Sequence, residues 1–312
     1  MITGSDVCVI IPADRPWLSA GRRSPDGRVT AEPSQKGTTV RHRPAWAPDE
    51  IDIERPAAAR MYDYYLGGSH NFAADRELAE QTMRVWPDLP HIARANRAYL
   101  HRVVSYLIDA GIDQFLDLGS GIPTGGNVHD VSHALNPAAR TVYVDADPVA
   151  VAHSAALLKD ISFATVVHAD LRDADAVLND PALTEFLDLS RPVAVLMFAV
   201  LHFVSPKDEP AEIVEAYREA TAPGSYLAVS HATNDYEPEH AKQAETIYTQ
   251  ASHAMTFRGR GEVAGLMAGY ELVPPGLVDL IQWRPDPLDT RPDPLGGDVR
   301  RYSVLVAVGR RT

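Results

Sequence analysis

Two carboxylates bracket a glycine-rich turn in this chain. Asp117 stands two residues before Gly119 in the stretch FLDLGSGIPTGGNVHD, and Asp145 closes VYVD, twenty-four residues beyond Gly121. An apolar run, a glycine turn and a helix start form a seat for a nucleotide, because the turn admits a ligand close to backbone N–H groups. The question is which nucleotide. No Gly-Lys-Ser/Thr follows the glycines, so the phosphate lysine and magnesium hydroxyl of a triphosphate loop are missing. A dinucleotide fingerprint needs a third glycine where Thr124 stands, and Gly125 comes one residue late. Asp117 would also oppose the pyrophosphate of a dinucleotide. It favours a ligand of positive charge, and S-adenosylmethionine carries an ammonium and a sulfonium. At about 4 Å and an effective dielectric of ~20, such a pair is worth roughly 4 kcal/mol before desolvation. The sign of that charge selects S-adenosylmethionine and disfavours a nicotinamide oxidoreductase.

Other residues fit the same ligand. Asp145 has the spacing at which an acid takes ribose hydroxyls. Asp147 either shares that role or caps a helix beginning at Pro148. Asp170, in VVHADLRD, is placed to accept from the adenine amino group, with Leu171 beside it. Ser120 belongs to the glycine loop as a cofactor contact; the Gly-x-Ser-x-Gly order of a nucleophile elbow is absent. Upstream, YDYYLGGSHNF offers Tyr62, Tyr65, His70 and Asn71 to close over a cofactor, with Tyr64 and Phe72 as packing residues. His129, His133 and His168 show no metal spacing, so no metal is expected. RANRAYLHR reads as a basic, solvated helix face.

These residues need a frame. Apolar runs at 114–118, 141–145, 163–168, 193–200 and 225–230 alternate with helix candidates near 127–135, 148–159, 172–188 and 209–221. Continuous apolarity marks strands covered on both faces, hence a mostly parallel sheet. YELVPPGLVDLIQW and RYSVLVAVG suit a closing strand pair. RPAAARMYDYYLGG predicts a helix with Pro56 in its first turn and Gly67–Gly68 as its stop. HIARANRAYLHRVVSYLIDAG predicts a longer helix stopped by Gly111.

The 312 residues are 45% apolar, enough for one large α/β domain. Net charge is −13, and the acidic excess lies beyond residue 50, so nucleic acid is a poor default partner. The single cysteine, Cys8, excludes an internal disulfide framework. Residues 1–50 have no apolar period and are expected to form a disordered tail before a domain spanning 51–312. VCVIIPA is too short to span a membrane and lacks a basic flank before it, so a cytoplasmic protein without membrane attachment is expected.

Asp-x-Gly-x-Gly, then VYVDADP, then HADLRD, then an apolar strand ending LHF resembles class I S-adenosylmethionine-dependent methyltransferases. More narrowly, RPAAARMYDYYLGGSHNFAADRE, RPVAVLMFAVLHFV, APGSYLAVSHAT and PPGLVDLIQWRP look like one bacterial S-adenosyl methyltransferase family, long known as a domain of unknown function. The resemblance runs from about Ile51 to the C-terminus. It implies a Rossmann-like sheet of seven strands, order 3-2-1-4-5-7-6, with helices on both faces. The cofactor would lie over the ends of the first two strands, under a helical lid of residues 51–90 before a core of 91–312. In that superfamily the acceptor lies after the fourth strand, which singles out His202 as a general base and His231 as a second candidate. The implied activity is methyl transfer to a small molecule. The alternative is a cofactor-binding sensor without turnover.

Overall fold

The computed structural model describes residues 51–312 except Thr124; the tail expected over 1–50 lies outside the described residues. The described residues open with three helices: α1 (Ala58–Tyr65), α2 (Ala73–Val85) and α3 (Leu89–Asp109). Helix α1 starts after Ala57, so Pro56 precedes the cap instead of occupying the first turn. It ends as its glycines require. Gly67 N donates to Tyr64 O and Gly68 N to Asp63 O, a paired closure for which Gly67 takes a φ of +83°. Helix α3 buries Leu89, Ile92, Ala93, Asn96, Tyr99, Leu100, Val103, Val104 and Leu107, the stripe that i, i+3, i+4 spacing dictates. One member of the stripe, Asn96, is polar.

Strands and helices then alternate: β1 (Gln114–Leu118), α4 (Val128–Leu135), β2 (Arg140–Asp145), α5 (Pro148–Leu158) and β3 (Ala164–His168). The helix expected over 172–188 is two, α6 (Ala174–Leu178) and α7 (Pro181–Phe186). Pro181 has no N–H to continue the first, and the Asp180 carboxylate accepts from Ala182 N at 2.8 Å to start the second. There follow β4 (Ala194–Phe198), α8 (Pro210–Ala220), β5 (Tyr226–Ala232), α9 (Pro238–Tyr248) and α10 (Arg260–Leu266). The chain closes with β6 (Tyr270–Leu272), β7 (Val278–Asp279), α11 (Val299–Tyr302) and β8 (Val304–Arg311).

The sheet runs β3-β2-β1-β4-β5-β8-β6. Strands β1 to β5 are parallel, and β8 lies antiparallel between β5 and β6. This is the implied order. The added two-residue β7 also pairs with β8, which makes eight strands where seven were expected. Strand residues alternate between two cores. Phe115, Leu196 and Ala228 face a layer that includes α3, whereas Leu116, Val195 and Leu227 face one that includes α8. Tyr99 fixes α3 to the sheet: its hydroxyl reaches Val229 O at 3.2 Å and Ala307 O at 3.1 Å. Consecutive connections leave β1 in one direction to β2 and return to β4 on its other side, so a crevice opens at the carboxyl ends of these strands.

Candidate functional site

A cavity of about 380 Å³, within the size range of small-molecule sites, occupies that crevice. It reaches from the glycine loop after β1 to the turn after β4 and the end of β5. Strand β1 delivers Asp117, which is buried, and among the described residues no group hydrogen-bonds its carboxyl. Burial pushes Asp117 from 3.8 up to about 7; Arg97 pulls it down and Asp145 pushes it further. The loop turns on Gly119 and Gly121, with φ of +71° and +67°. A Cβ on Gly119 would stand 2.2 Å from a Val200 methyl carbon, so that position is also closed by packing.

Asp145 is tied to the same loop. Its Oδ2 accepts from Gly121 N at 2.7 Å and its Oδ1 from Asp147 N at 2.8 Å. Burial pushes it to about 6, against the pull of these amides. Each carboxylate oxygen keeps a further lone pair, so the site can still receive hydroxyl donors. Asp145→Ala is expected to weaken cofactor-product binding by about 2 kcal/mol, the scale of charge-assisted hydrogen bonds. Calorimetry on the folded variant checks this, and an unchanged affinity would refute the role.

Asp147 caps α5 through Val149 N at 2.7 Å, and its other oxygen takes Arg60 Nη1 at 3.0 Å. It also lines the cavity, but its carboxylate is engaged by these two tasks. Asp170 and Leu171 line the cavity beyond β3, and Asp170 is paired with Arg172, whose Nε stands 2.9 Å from Oδ2. Ser120 lines it too, and its buried Oγ has no hydrogen-bond partner among the described residues.

From the helical side come Tyr62 and Tyr65. The Tyr62 hydroxyl donates to Ala93 O at 3.1 Å and accepts from Asn96 Nδ2 at 3.1 Å; that of Tyr65 meets Tyr248 at 3.2 Å. His70 and Asn71 are not brought into the cavity. The turn after α1 folds them onto buried Asp63, which accepts from His70 N at 2.9 Å and Asn71 Nδ2 at 2.7 Å, and His70 packs against His153. Their expected cofactor contact is thus replaced by a structural one.

The two histidines differ. His231 Nδ1 donates to Ala232 O at 2.7 Å and Nε2 accepts from Arg258 at 2.9 Å, so both ring nitrogens are used. Burial lowers its pKa to about 4. This geometry removes His231 as a base. Both histidines line the cavity, and His202 Nδ1 accepts from Ala232 N at 3.4 Å. In the neutral ring this places the hydrogen on Nε2, which makes His202 a donor in place of the expected acceptor of protons.

Several site residues escaped the sequence reading. Arg97 of the basic stretch read as solvated lines the cavity, and its Nη2 donates to Gly125 O at 3.1 Å and Gly126 O at 2.8 Å. Asn96 stands beside it with a buried Oδ1 that has no partner among the described residues; a polar residue on an apolar stripe was the available signal. The second covering element is α9 with the segment after it, which supplies Tyr248, Ser252, His253 and Met255. Among the described residues no cluster of three His, Cys, Asp or Glu could hold a metal, and no helix is long and apolar enough to cross a membrane.

A sheet in this order, with an acid-glycine loop after β1 and a second acid ending β2, defines the class I methyltransferase architecture. The chain belongs to the S-adenosyl methyltransferase family, whose model matches residues 44–311. It is similar to a DUF574 family protein from Streptomyces avermitilis, at 37% identity and a TM-score of 0.79, over 84% of this chain and 99% of that one. A Thermobifida fusca protein, described as a candidate methyltransferase, shows 38% identity and a TM-score of 0.79, over 86% of this chain and all of that one. No curated protein matches the sequence. The cofactor is S-adenosylmethionine. The residues present suit it: among the described residues, the buried Asp117 carboxyl and the Asn96 amide oxygen have no hydrogen-bond partner and can take donors, and Ser120 Oγ offers a hydroxyl.

Proposed function

We propose that the chain transfers the methyl group of S-adenosylmethionine to a small-molecule acceptor in the cytoplasm. The observation that carries this reading is Asp117, a buried carboxyl without a hydrogen-bond partner among the described residues, set at a glycine loop. When bound, the cofactor supplies a methyl group already activated by its sulfonium. The protein's own residues do the rest. Asp117 receives the ammonium, Asp145 the ribose hydroxyls, and Asp170 with Leu171 borders the adenine. Tyr62 and Tyr65 close the helical side and exclude water, so that catalysis is chiefly alignment. Space supports turnover over a sensor role: past these residues the cavity continues along Tyr62, Trp86, Phe203, Tyr248 and Met255, which leaves room for an acceptor.

Calorimetry tests the reading. S-adenosylmethionine and S-adenosylhomocysteine are expected to bind, with NAD and ATP at least tenfold weaker. NAD binding as tight as that of S-adenosylhomocysteine would overturn it.

A further inference from the structure

The acceptor end of the cavity has its own chemistry. Tyr65, Tyr248 and Met255 belong to one apolar cluster, against which Tyr62, Trp86 and Phe203 pack. All six line the cavity. His202 abuts this cluster, its ring 4.5 Å from that of Phe203, which in turn stands 5.7 Å from Tyr248. Its Nε2–H has no partner among the described residues. Behind it lies a buried cation. Arg258 is 4% exposed, and its guanidinium donates to Leu201 O at 2.8 Å, Val204 O at 2.8 Å and His231 Nε2 at 2.9 Å. These bonds hold both ends of the turn that carries His202. No carboxylate lies within ion-pair distance of Arg258 among the described residues, although Glu262 acts on it from further off and opposes the cost of burying its charge. Aromatic walls, a free N–H and a buried guanidinium with no carboxylate within ion-pair distance among the described residues converge on one kind of ligand.

We propose that the acceptor is an aromatic oxyanion, a phenol or aromatic carboxylic acid bound without its proton, with its oxygen on His202 Nε2–H and its ring against Tyr62, Phe203 and Tyr248. This rests on the methyl-transfer reading of the same cavity. An oxygen lone pair attacks the methyl carbon, the carbon–sulfur bond breaks with its electrons going to sulfur, and the cationic sulfur becomes a neutral thioether. The product is a neutral methyl ether or ester. No proton moves in the step, which suits a histidine whose ring is kept neutral by burial, by His231 and by Arg258. The cavity is also lined by the hydroxyls of Tyr62, Tyr65 and Tyr248, by Asn96, Ser120, Ser230 and Ser252, by His231 and His253, and by Asp52, Arg55, Arg60, Arg97 and Arg172. The carboxylates of Asp117, Asp145, Asp147 and Asp170 lie at the cofactor end, where the cofactor's cationic groups and Arg60 and Arg172 offset them.

The test uses the full chain saturated with S-adenosylhomocysteine, whose binding is measured first by calorimetry. Nitrophenol, whose two protonation states absorb differently, is then titrated. Its bound form is expected to ionise about one pH unit below the free compound. Benzoate should also bind, with aniline and cyclohexanol at least tenfold weaker. Arg258→Met should abolish the nitrophenol shift, Arg258→Lys should restore part of it, and thermal melts report folding. If Arg258→Met does not fold, the wild-type shift and the selectivity decide. An unshifted or raised ionisation, aniline binding as tight as benzoate, or no binding of either acid would overturn the proposal and leave the cofactor reading standing. Failure to bind S-adenosylhomocysteine would overturn both.

Discussion

Asp117→Asn is expected to weaken S-adenosylhomocysteine binding by about 3 kcal/mol, roughly a hundredfold, because the ammonium loses its charged partner in a buried site. The substitution keeps size and leaves the fold intact, since no protein group depends on this carboxyl for a hydrogen bond among the described residues. A pH dependence accompanies it. In the ligand-free protein Asp117 titrates near 7 and Asp145 near 6, whereas a bound cation favours both carboxylates. Binding therefore releases protons, and affinity falls as pH drops from about 7 to about 5, by up to tenfold per pH unit for each proton released. Asp117→Asn should flatten the part of this profile nearest pH 7. An equal slope in wild type and variant would refute the assignment. For the unliganded fold the sign is opposite. Both acids hold protons more tightly folded than unfolded, so their contribution to stability is full below about pH 4 and is lost as pH rises through about 6 to 7.

Arg60→Ala is expected to cost about 3–5 kcal/mol of stability, the scale for breaking a buried ion pair from one side. Arg60 is nearly buried, and its Nε reaches both oxygens of Asp75, at 3.1 and 2.9 Å, while Nη1 holds Asp147 at 3.0 Å. The three residues belong to α1, α2 and the cap of α5, so one guanidinium ties the covering helices to the cofactor side of the sheet. Asp75 is fully buried and also accepts from Ala57 N at 2.9 Å and Phe72 N at 2.7 Å. Without Arg60 its charge has no cation, and burial, which already pushes Asp75 upward, is left to the Ala57 and Phe72 amides to oppose. Urea unfolding measures the loss. Arg60→Ala combined with Asp75→Asn should recover part of it, because the unpaired charge is gone. A single variant within about 0.5 kcal/mol of wild type, the range of ordinary surface substitutions, would show that packing alone holds the helices.

The parallel frame is legible in the sequence alone. The runs at 114–118 and 141–145 became β1 and β2 nearly residue for residue, because a strand buried on both faces writes its burial as unbroken apolarity. Glycine at 119 and 121, with acids at 117 and 145, was equally local, since a positive φ and a strand-end carboxylate each depend on a few neighbouring residues. The cofactor class followed from the sign of one charge.

Tertiary structure decided the remainder. Asn96 meets Tyr62 across 34 residues, Arg97 meets Gly126 across 29, and Arg258 meets His231 across 27. Hydrophobic periodicity reports which face of an element is buried, but not which distant side chain lies opposite it. His70 and Asn71 show the converse: beside a glycine turn they had the right chemistry, yet the direction of that turn gave them to Asp63. The protonation of His202, in the turn after β4, likewise depends on a backbone amide at the end of β5, that of Ala232. Residue type and spacing therefore specified the parallel strands and the ligand's charge, while the partners that orient each polar group were set by contacts between segments distant in sequence.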